Sequence, residues 1–146
     1  MGSRVGAGTY LLSMSAVVNM WCLAVIVLYR HVIVPGIASR TDIEYGLGVL
    51  GVVVGGVFFY LSQRRLQDLD CPGWCARILA FPLFAVIFLP VLCFLSAPRF
   101  TNRFGKPPPP SSGLKTIAAL VSFGVALVLV PYVARLYAGM HLHSAF

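Results

Sequence analysis

Apolar residues in this chain form long, almost uninterrupted runs, and polar residues gather in short stretches between them. The four runs lie at residues 9–29, 45–62, 76–97 and 116–137. A helix needs about 20 apolar residues to cross about 30 Å of hydrocarbon. Because each run approaches that length and has no internal Asp, Glu or Lys, the pattern predicts four transmembrane helices.

A few residues inside and beside these runs refine that prediction. The second helix is predicted to continue to about residue 70, and a proline-rich loop at 98–115 follows the third. Asn19 is an amide in a membrane helix, which usually bonds to a neighbouring helix; a substrate contact is the alternative. Gly51 and Gly55 are four residues apart, a spacing that lets two backbones approach closely. Packing within the chain is favoured over packing against a second copy.

Composition supports a single all-α membrane domain over residues 1–146. Hydrophobic residues make up 59% of the chain and charged residues only 10%, whereas soluble domains carry roughly 25% charged residues. A soluble core of four buried helices would therefore lack the polar sequence needed to cover it. The four cysteines do not supply two ligand pairs, so we predict no metal site, and no cofactor motif is present.

The net charge of +7, from 11 Lys and Arg against 4 Asp and Glu, points to lipid rather than nucleic acid. The basic residues are scattered among short loops, where they can contact anionic headgroups. The segment after the second run is the most informative. Arg64 and Arg65 precede Asp68 at the i,i+4 and i,i+3 spacings of helical ion pairs. Gly73 lies in a turn, and Trp74 is placed to anchor the next helix at the interface.

The same segment resembles a bacterial inner-membrane family known as domain-of-unknown-function 805. The resemblance is strongest over about Arg64–Pro108 and is carried by Arg64-Arg65-Leu66-Gln67-Asp68, Gly73-Trp74, Pro82 and Asn102-Arg103-Phe104-Gly105 before Pro107. Gln67 stands where the family usually has His, and an amide cannot transfer protons as that His could. The resemblance implies a bacterial inner-membrane location and a topology, and no activity.

Charge counting and backbone chemistry disagree about the third run. If all four runs cross, five basic residues face one side and six the other, which gives no orientation under the positive-inside rule. If the third run is re-entrant, eight share the side of the N-terminus against three, and that side is inside. A hairpin tip in lipid, however, leaves backbone groups unpaired. Four crossings is therefore the leading prediction, and three crossings plus a re-entrant third segment is the alternative.

No catalytic constellation is visible, so we predict a non-enzymatic protein that packs with lipid or with a membrane-protein partner. The arginines are expected to contact lipid phosphate. The alternatives are a subunit or immunity-type partner of a larger complex, a homo-oligomer, a small transporter, and a lipid-headgroup-modifying enzyme with Asp68 as its base. The candidate residues for lipid or partner binding are Arg64, Arg65, Asp68, Gly73, Trp74, Asn102, Arg103 and Gly105.

Overall fold

The chain folds into helices at every long apolar run. The computed structural model describes residues 5–33, 36, 39–80, 82–95 and 100–142. Within these residues there is no strand, only an isolated antiparallel bridge between Asn102 and Gly105, so the all-helical prediction is confirmed. The elements are α1 (Ala7–Leu28) with a π-helical turn at Tyr29–Ile33, α2 (Arg40–Asp68), a 3₁₀ helix (Gly73–Ala80), α3 (Pro82–Phe94) and α4 (Gly113–Leu142).

Helix α2 extends well beyond its apolar run at both ends. At its start the Ser39 hydroxyl accepts a hydrogen bond from the Asp42 amide at 3.2 Å, the usual role of a serine N-cap. Its 29 residues give a length of about 44 Å at 1.5 Å per residue, which exceeds the hydrocarbon thickness. The helix ends at Asp68, where the sequence predicted a continuation to about residue 70.

Among the described residues, three helices are long and apolar enough to cross a membrane, namely Ala7–Val32, Thr41–Asp68 and Gly113–Gly139. Helix α3 has only 13 residues, or about 20 Å. The prediction of four crossings is therefore not confirmed. The third run, predicted as one helix over 76–97, is instead divided into the 3₁₀ helix and α3.

Two prolines occupy distinct positions in α3. Pro82 is the first residue of α3, a position at which its missing N–H costs nothing. Its ring also disfavours helical geometry in the residue before it. The sequence predicted kinks at both Pro82 and Pro90. The described part of α3 begins at Pro82, and Pro90 lies inside it; the residue before Pro82 lies outside the described residues.

Helices α1 and α4 run parallel. Gly8 lies against Ser111 just before α4, Asn19 bonds to Ser122, and Val25 shares a buried cluster with Val133. Residue numbers thus rise together along the two helices. Four simple crossings would have placed α4 antiparallel to α1, and this pairing does not match that arrangement.

Helix α2 is antiparallel to α1. Tyr10 near the start of α1 bonds to Ser62 near the end of α2, and Trp21 lies 3.8 Å from the Cβ position of Gly51. One end of the bundle therefore holds the start of α1, the end of α2 and the start of α4. Because most of the Lys and Arg residues lie on segments at this end, we call it the basic end.

The segment between α2 and α4 begins and ends at the basic end. The 3₁₀ helix starts five residues after α2 and packs against it. The last carbonyls of α3 bond to Arg65, which is one turn from the end of α2. A buried cluster beneath this end joins the helices; it consists of Tyr10, Leu11, Met14, Leu92, Cys93 and Ala119.

The glycine pair in α2 does not pack as the sequence favoured. A Cβ at Gly51 would meet only the end of the Trp21 ring at 3.8 Å, and a Cβ at Gly55 would meet nothing within 4 Å. Close backbone approach inside the chain is therefore wrong for this pair among the described residues. At Gly51 the neighbour is the end of the Trp21 side chain and not a backbone atom. Packing against a second copy stays a prediction.

Candidate functional site

Arg65 is the centre of the polar structure at the basic end. Its side chain is fully buried, and Asp68, one turn later in α2, is buried with it. The guanidinium donates to the Asp68 carboxylate and to the carbonyl of Leu95. It also donates to the carbonyl of Leu92 at 3.0 Å and of Val5 at 3.4 Å. One side chain thus connects α2 to the chain before α1 and to the end of α3.

The carbonyls that Arg65 binds explain why a charge is buried here. The last four carbonyls of a helix have no partner within it, and Leu92 belongs to that group in α3. A cation is also stabilised by the partial negative charge at a helix C-terminus. Arg65 therefore caps α3, and Asp68 balances its charge. The planar guanidinium suits this role because its five donors can reach several acceptors at once.

A second hydrogen bond lies directly below this pair. The hydroxyls of Tyr10 and Ser62 are 3.0 Å apart, and both residues are fully buried. Tyr10 belongs to the first turn of α1, and Ser62 is one turn before Arg65. This bond therefore ties α1 to α2 at the level where the polar end meets the apolar core.

The turn at 102–105 closes the end of α2. Asn102 donates its side-chain amide to the Gln67 carbonyl at 2.9 Å, and its side-chain oxygen accepts from the Phe104 amide at 2.9 Å. Asn102 and Gly105 exchange two backbone hydrogen bonds. Gly105 has a φ of 130°, a conformation that side chains rarely adopt. Asn102 is thus a C-terminal cap delivered from a distant loop.

Arg103 reinforces the same contact from the surface. It donates to the Asp70 carbonyl at 2.7 Å, and its Nε lies 3.4 Å from the Asp70 carboxylate. Asp70 has a φ of 62°, the left-handed conformation that commonly ends helices. Both side chains are about half exposed, so the ion pair contributes little by itself. The loop's attachment depends mainly on the backbone contacts.

The structure brings most of the predicted site residues together, and the residues with the family-like motifs share one end. Arg65, Asp68, Asn102, Arg103 and Gly105 lie around the end of α2. The Arg64 guanidinium lies over the Tyr60 ring, 5.2 Å from its centroid. Trp74 is exposed at the start of the 3₁₀ helix, one residue after Gly73. In contrast, Asn19, Gly51 and Gly55 lie deeper along the helices.

Two roles proposed from the sequence do not fit these positions. Arg65 was expected to contact lipid phosphate, but its full burial and its protein acceptors separate it from the surface. Asp68 was considered as a surface contact and as a base, but it is buried and bound to Arg65. Together, Arg65 and Asp68 connect α2 to the end of α3 and to the chain before α1.

Sequence reasoning missed several members of this site. The carbonyls of Val5, Leu92 and Leu95 carry no signal in the side-chain pattern, because every residue has one. The hydrogen bond between Tyr10 and Ser62 is only weakly indicated by the sequence, in which both residues are polar groups at the edges of apolar runs. The partnership of Asp70 with Arg103 could have been proposed from charge alone.

Exposed cations surround this buried framework. They lie on the 3₁₀ helix, on the turn, on the loop after it and at the start of α4: Arg77, Arg103, Lys106 and Lys115. A cavity of about 440 Å³ also opens here, between the first turn of α1, Arg65, Asp68 and the loop Pro107–Ser111. The two charged groups in its wall are bonded to each other. The exposed surface therefore offers the positive charge.

The described residues contain no group of three or more His, Cys, Asp or Glu that could hold a metal ion.

A family model described as "Protein of unknown function (DUF805)" matches residues 3–106. Comparisons with curated proteins and with solved structures give no match. The matched range includes the Arg65 framework and the Asn102 turn, and it ends before α4.

Proposed function

Because this chain belongs to the DUF805 family of proteins of unknown function, we propose its function from its geometry. The chain is an integral membrane protein, and the part of it that the structure describes holds three helices long and apolar enough to span a bilayer. We infer that it is a non-enzymatic protein of a bacterial inner membrane and binds anionic lipid headgroups at its basic end. The exposed cations around the Arg65 framework are the observation that carries this proposal.

The proposed topology has three crossings, with the 3₁₀ helix and α3 forming a re-entrant segment. The parallel arrangement of α1 and α4 supports it, since α4 then starts on the side where α1 starts. This topology puts eight of the eleven Lys and Arg residues on one side, which the positive-inside rule makes cytoplasmic. That leaflet carries the anionic lipids to which such residues are attracted.

The re-entrant path raises the question of unpaired backbone groups. Irregular backbone at membrane depth is tolerated where protein covers it. Leu92 and Cys93 near the end of α3 are buried against α1, and Arg65 satisfies the carbonyls of Leu92 and Leu95. These contacts lie at the basic end, so they support the return of the segment to that end and do not pair backbone groups at its tip. Phe81, between the two helices, lies outside the described residues.

Headgroup binding is assigned to side chains that are exposed, namely Arg77, Lys106 and Lys115, with Arg64 and Arg103 beside them. Each basic residue near an anionic surface contributes about 1 kcal/mol of attraction. Trp74 is 64% exposed and three residues before Arg77, so its indole ring reports which lipids collect at this surface.

The test uses quenching of Trp74 fluorescence by brominated lipids. In a Trp21→Phe background Trp74 is the single tryptophan of the chain. In mixed vesicles, brominated phosphatidylglycerol should quench it more strongly than brominated phosphatidylcholine at low salt. The difference should shrink in 1 M salt, where the screening length falls to about 3 Å. Equal quenching by the two lipids at low salt would refute the proposal.

Charge variants show which basic residues cause the preference for phosphatidylglycerol. The triple variant Arg77→Gln, Lys106→Gln, Lys115→Gln should reduce the preference for phosphatidylglycerol several-fold. The matched control is Arg30→Gln with Arg135→Gln, since both arginines are exposed at the opposite end of the bundle. That control should keep the preference. If both sets reduce it equally, the effect depends on net charge and not on a basic end.

A further inference from the structure

An apolar groove opens between α3 and α4 on the membrane side of the Tyr10–Ser62 bond. Its volume is about 450 Å³, within the range of roughly 300–1,000 Å³ typical of small-molecule sites. The residues at its floor come from α1, and those at its walls come from α3, α4 and Phe58 of α2. The floor includes Leu11, Met14 and Ser15, and the rim includes Pro90, Leu127 and Val130.

The groove exists because α3 and α4 do not pack along their lengths. Both helices pack against α1, and they meet each other through the rings of Phe94 and Phe123, which are edge-to-face with centroids 6.4 Å apart. Below this ring pair the two helices leave a gap. Its floor is buried, whereas Leu127 and Val130 on its rim are exposed, so the groove opens toward the surrounding lipid.

The lining excludes polar ligands. Ser15 and Cys93 carry the polar side-chain groups among the residues that line the groove. The Ser15 hydroxyl donates to the Leu11 carbonyl at 2.8 Å, and the Cys93 thiol donates to the Leu89 carbonyl at 3.3 Å. Both groups are bonded within their own helices. An occupant would therefore meet hydrocarbon surface on every side.

We propose that this groove holds one acyl chain of an anionic phospholipid whose headgroup lies at the basic end. An empty apolar cleft forfeits dispersion contacts along its walls, and in a bilayer the available filler is an acyl chain. Lys115 lies in the first turn of α4, two turns before the wall residue Phe123 and about 12 Å from it along the helix. A phosphate at Lys115 would thus send its chain past the ring pair into the groove. The choice of an anionic lipid rests on the proposed function; the acyl-chain site rests on the groove.

The test is photocrosslinking from the acyl chain. The full-length protein is reconstituted in vesicles that contain phosphatidylglycerol with a diazirine on its acyl chain, irradiated, digested and analysed by mass spectrometry. Adducts should concentrate on the groove residues of α1, α3 and α4. The comparison surface is the lipid-facing side of α2, which includes the exposed Val49, Val52 and Val53. Adducts spread evenly over both surfaces would overturn the site.

Two variants fill the groove from different depths. Ala126→Leu adds bulk at a buried position of the lining, and Val130→Phe adds it at the exposed rim, where the fold tolerates it. Both should lower the groove adducts at least threefold relative to the α2 adducts. The control, Ala134→Leu, changes an exposed alanine of α4 outside the groove and should leave the ratio unchanged. Unchanged adducts in Val130→Phe would refute the assignment.

The combined results distinguish an acyl-chain site from headgroup binding alone and from contact with a second copy of the chain. If the groove proposal fails while Trp74 keeps its preference for phosphatidylglycerol, the headgroup proposal stands alone. If the charge variants fail while groove adducts persist, the site takes an acyl chain without regard to headgroup. Protein–protein crosslinks through the groove residues in place of lipid adducts would show that a second copy fills it, and would overturn the acyl-chain proposal.

Discussion

Arg65 shows how one residue can decide the path of a chain. A buried charge is costly unless it is paired and hydrogen-bonded. Arg65 meets both conditions through Asp68 in its own helix and through carbonyls of two other segments. Leu92 lies in the last turn of α3 and Leu95 directly follows the helix, and the last carbonyls of a helix have no partner within it. The arginine and the helix end therefore satisfy each other, and the segment is held at the basic end.

Removing this arginine should destabilise the protein more than removing its partner. In Arg65→Met the Asp68 carboxylate is left buried without its cation, which costs about 3–5 kcal/mol. In Asp68→Asn the arginine keeps its carbonyl acceptors, so the loss should be smaller. The double variant should be less destabilised than the sum of the two. Thermal stability in detergent, followed by size-exclusion chromatography after heating, measures all three.

The control for this series is Arg77→Met, which removes an exposed arginine and should change stability by less than about 0.5 kcal/mol. If Arg65→Met melted at the same temperature as the unmodified protein, the buried pair would have no structural role. The lysine replacement is also informative. Arg65→Lys keeps the charge, but a single ammonium cannot match the planar fork, so it should recover only part of the stability.

At the scale of elements, the ends of helices organise this protein. Helix α2 ends with Asp70 in a left-handed conformation and with the Cys71 amide bonded to the Leu66 carbonyl at 2.9 Å, a common way to satisfy terminal carbonyls. Asn102 then supplies the donor for Gln67. The motif that resembles the family in sequence is therefore a capping device that fastens the loop between α3 and α4.

Asn102 offers a test of that role. Asn102→Ala removes the donor to Gln67 and the acceptor for the Phe104 amide, and each lost hydrogen bond costs about 0.5–1.5 kcal/mol. We expect faster hydrogen exchange over residues 100–111 with little change in α1. Thr101→Ala, at the exposed neighbouring position, is the control and should leave exchange unaltered. Unchanged exchange in Asn102→Ala would show that the loop is held by other contacts.

At the scale of the whole molecule, the direction of α4 is the deciding feature. The contacts of Gly8 with Ser111 and of Asn19 with Ser122 put the starts of α1 and α4 at the same end. The described part of the segment between them holds a 3₁₀ helix of 8 residues and an α-helix of 13 residues, each shorter than the roughly 20 residues that a crossing helix needs. The direction of α4 also collects the positive charge at one end, which is the basis of the proposed lipid binding.

The topology can be measured directly. Reporters fused at the N-terminus and inserted at Ser112 should lie on the same side of the membrane, and both should be cytoplasmic under the positive-inside rule. A reporter at Ser39, between α1 and α2, serves as the control and should lie on the opposite side. Ser112 on the side of Ser39 would mean four simple crossings and would contradict the proposed path.

The sequence by itself determined three long helices, the membrane class and the pairing of Arg65 with Asp68, because run length, composition and i,i+3 spacing are properties of the chain alone. It also located Asn102 and Arg103 through a family resemblance. Only the tertiary structure decided that Arg65 is buried, that α1 and α4 are parallel, and that the third segment returns to the basic end. The composition of an apolar run does not show in which direction its helix crosses the bundle. The backbone carbonyls that accept hydrogen bonds from Arg65 are the same group in every residue. Direction and burial therefore emerge only when distant helix ends meet.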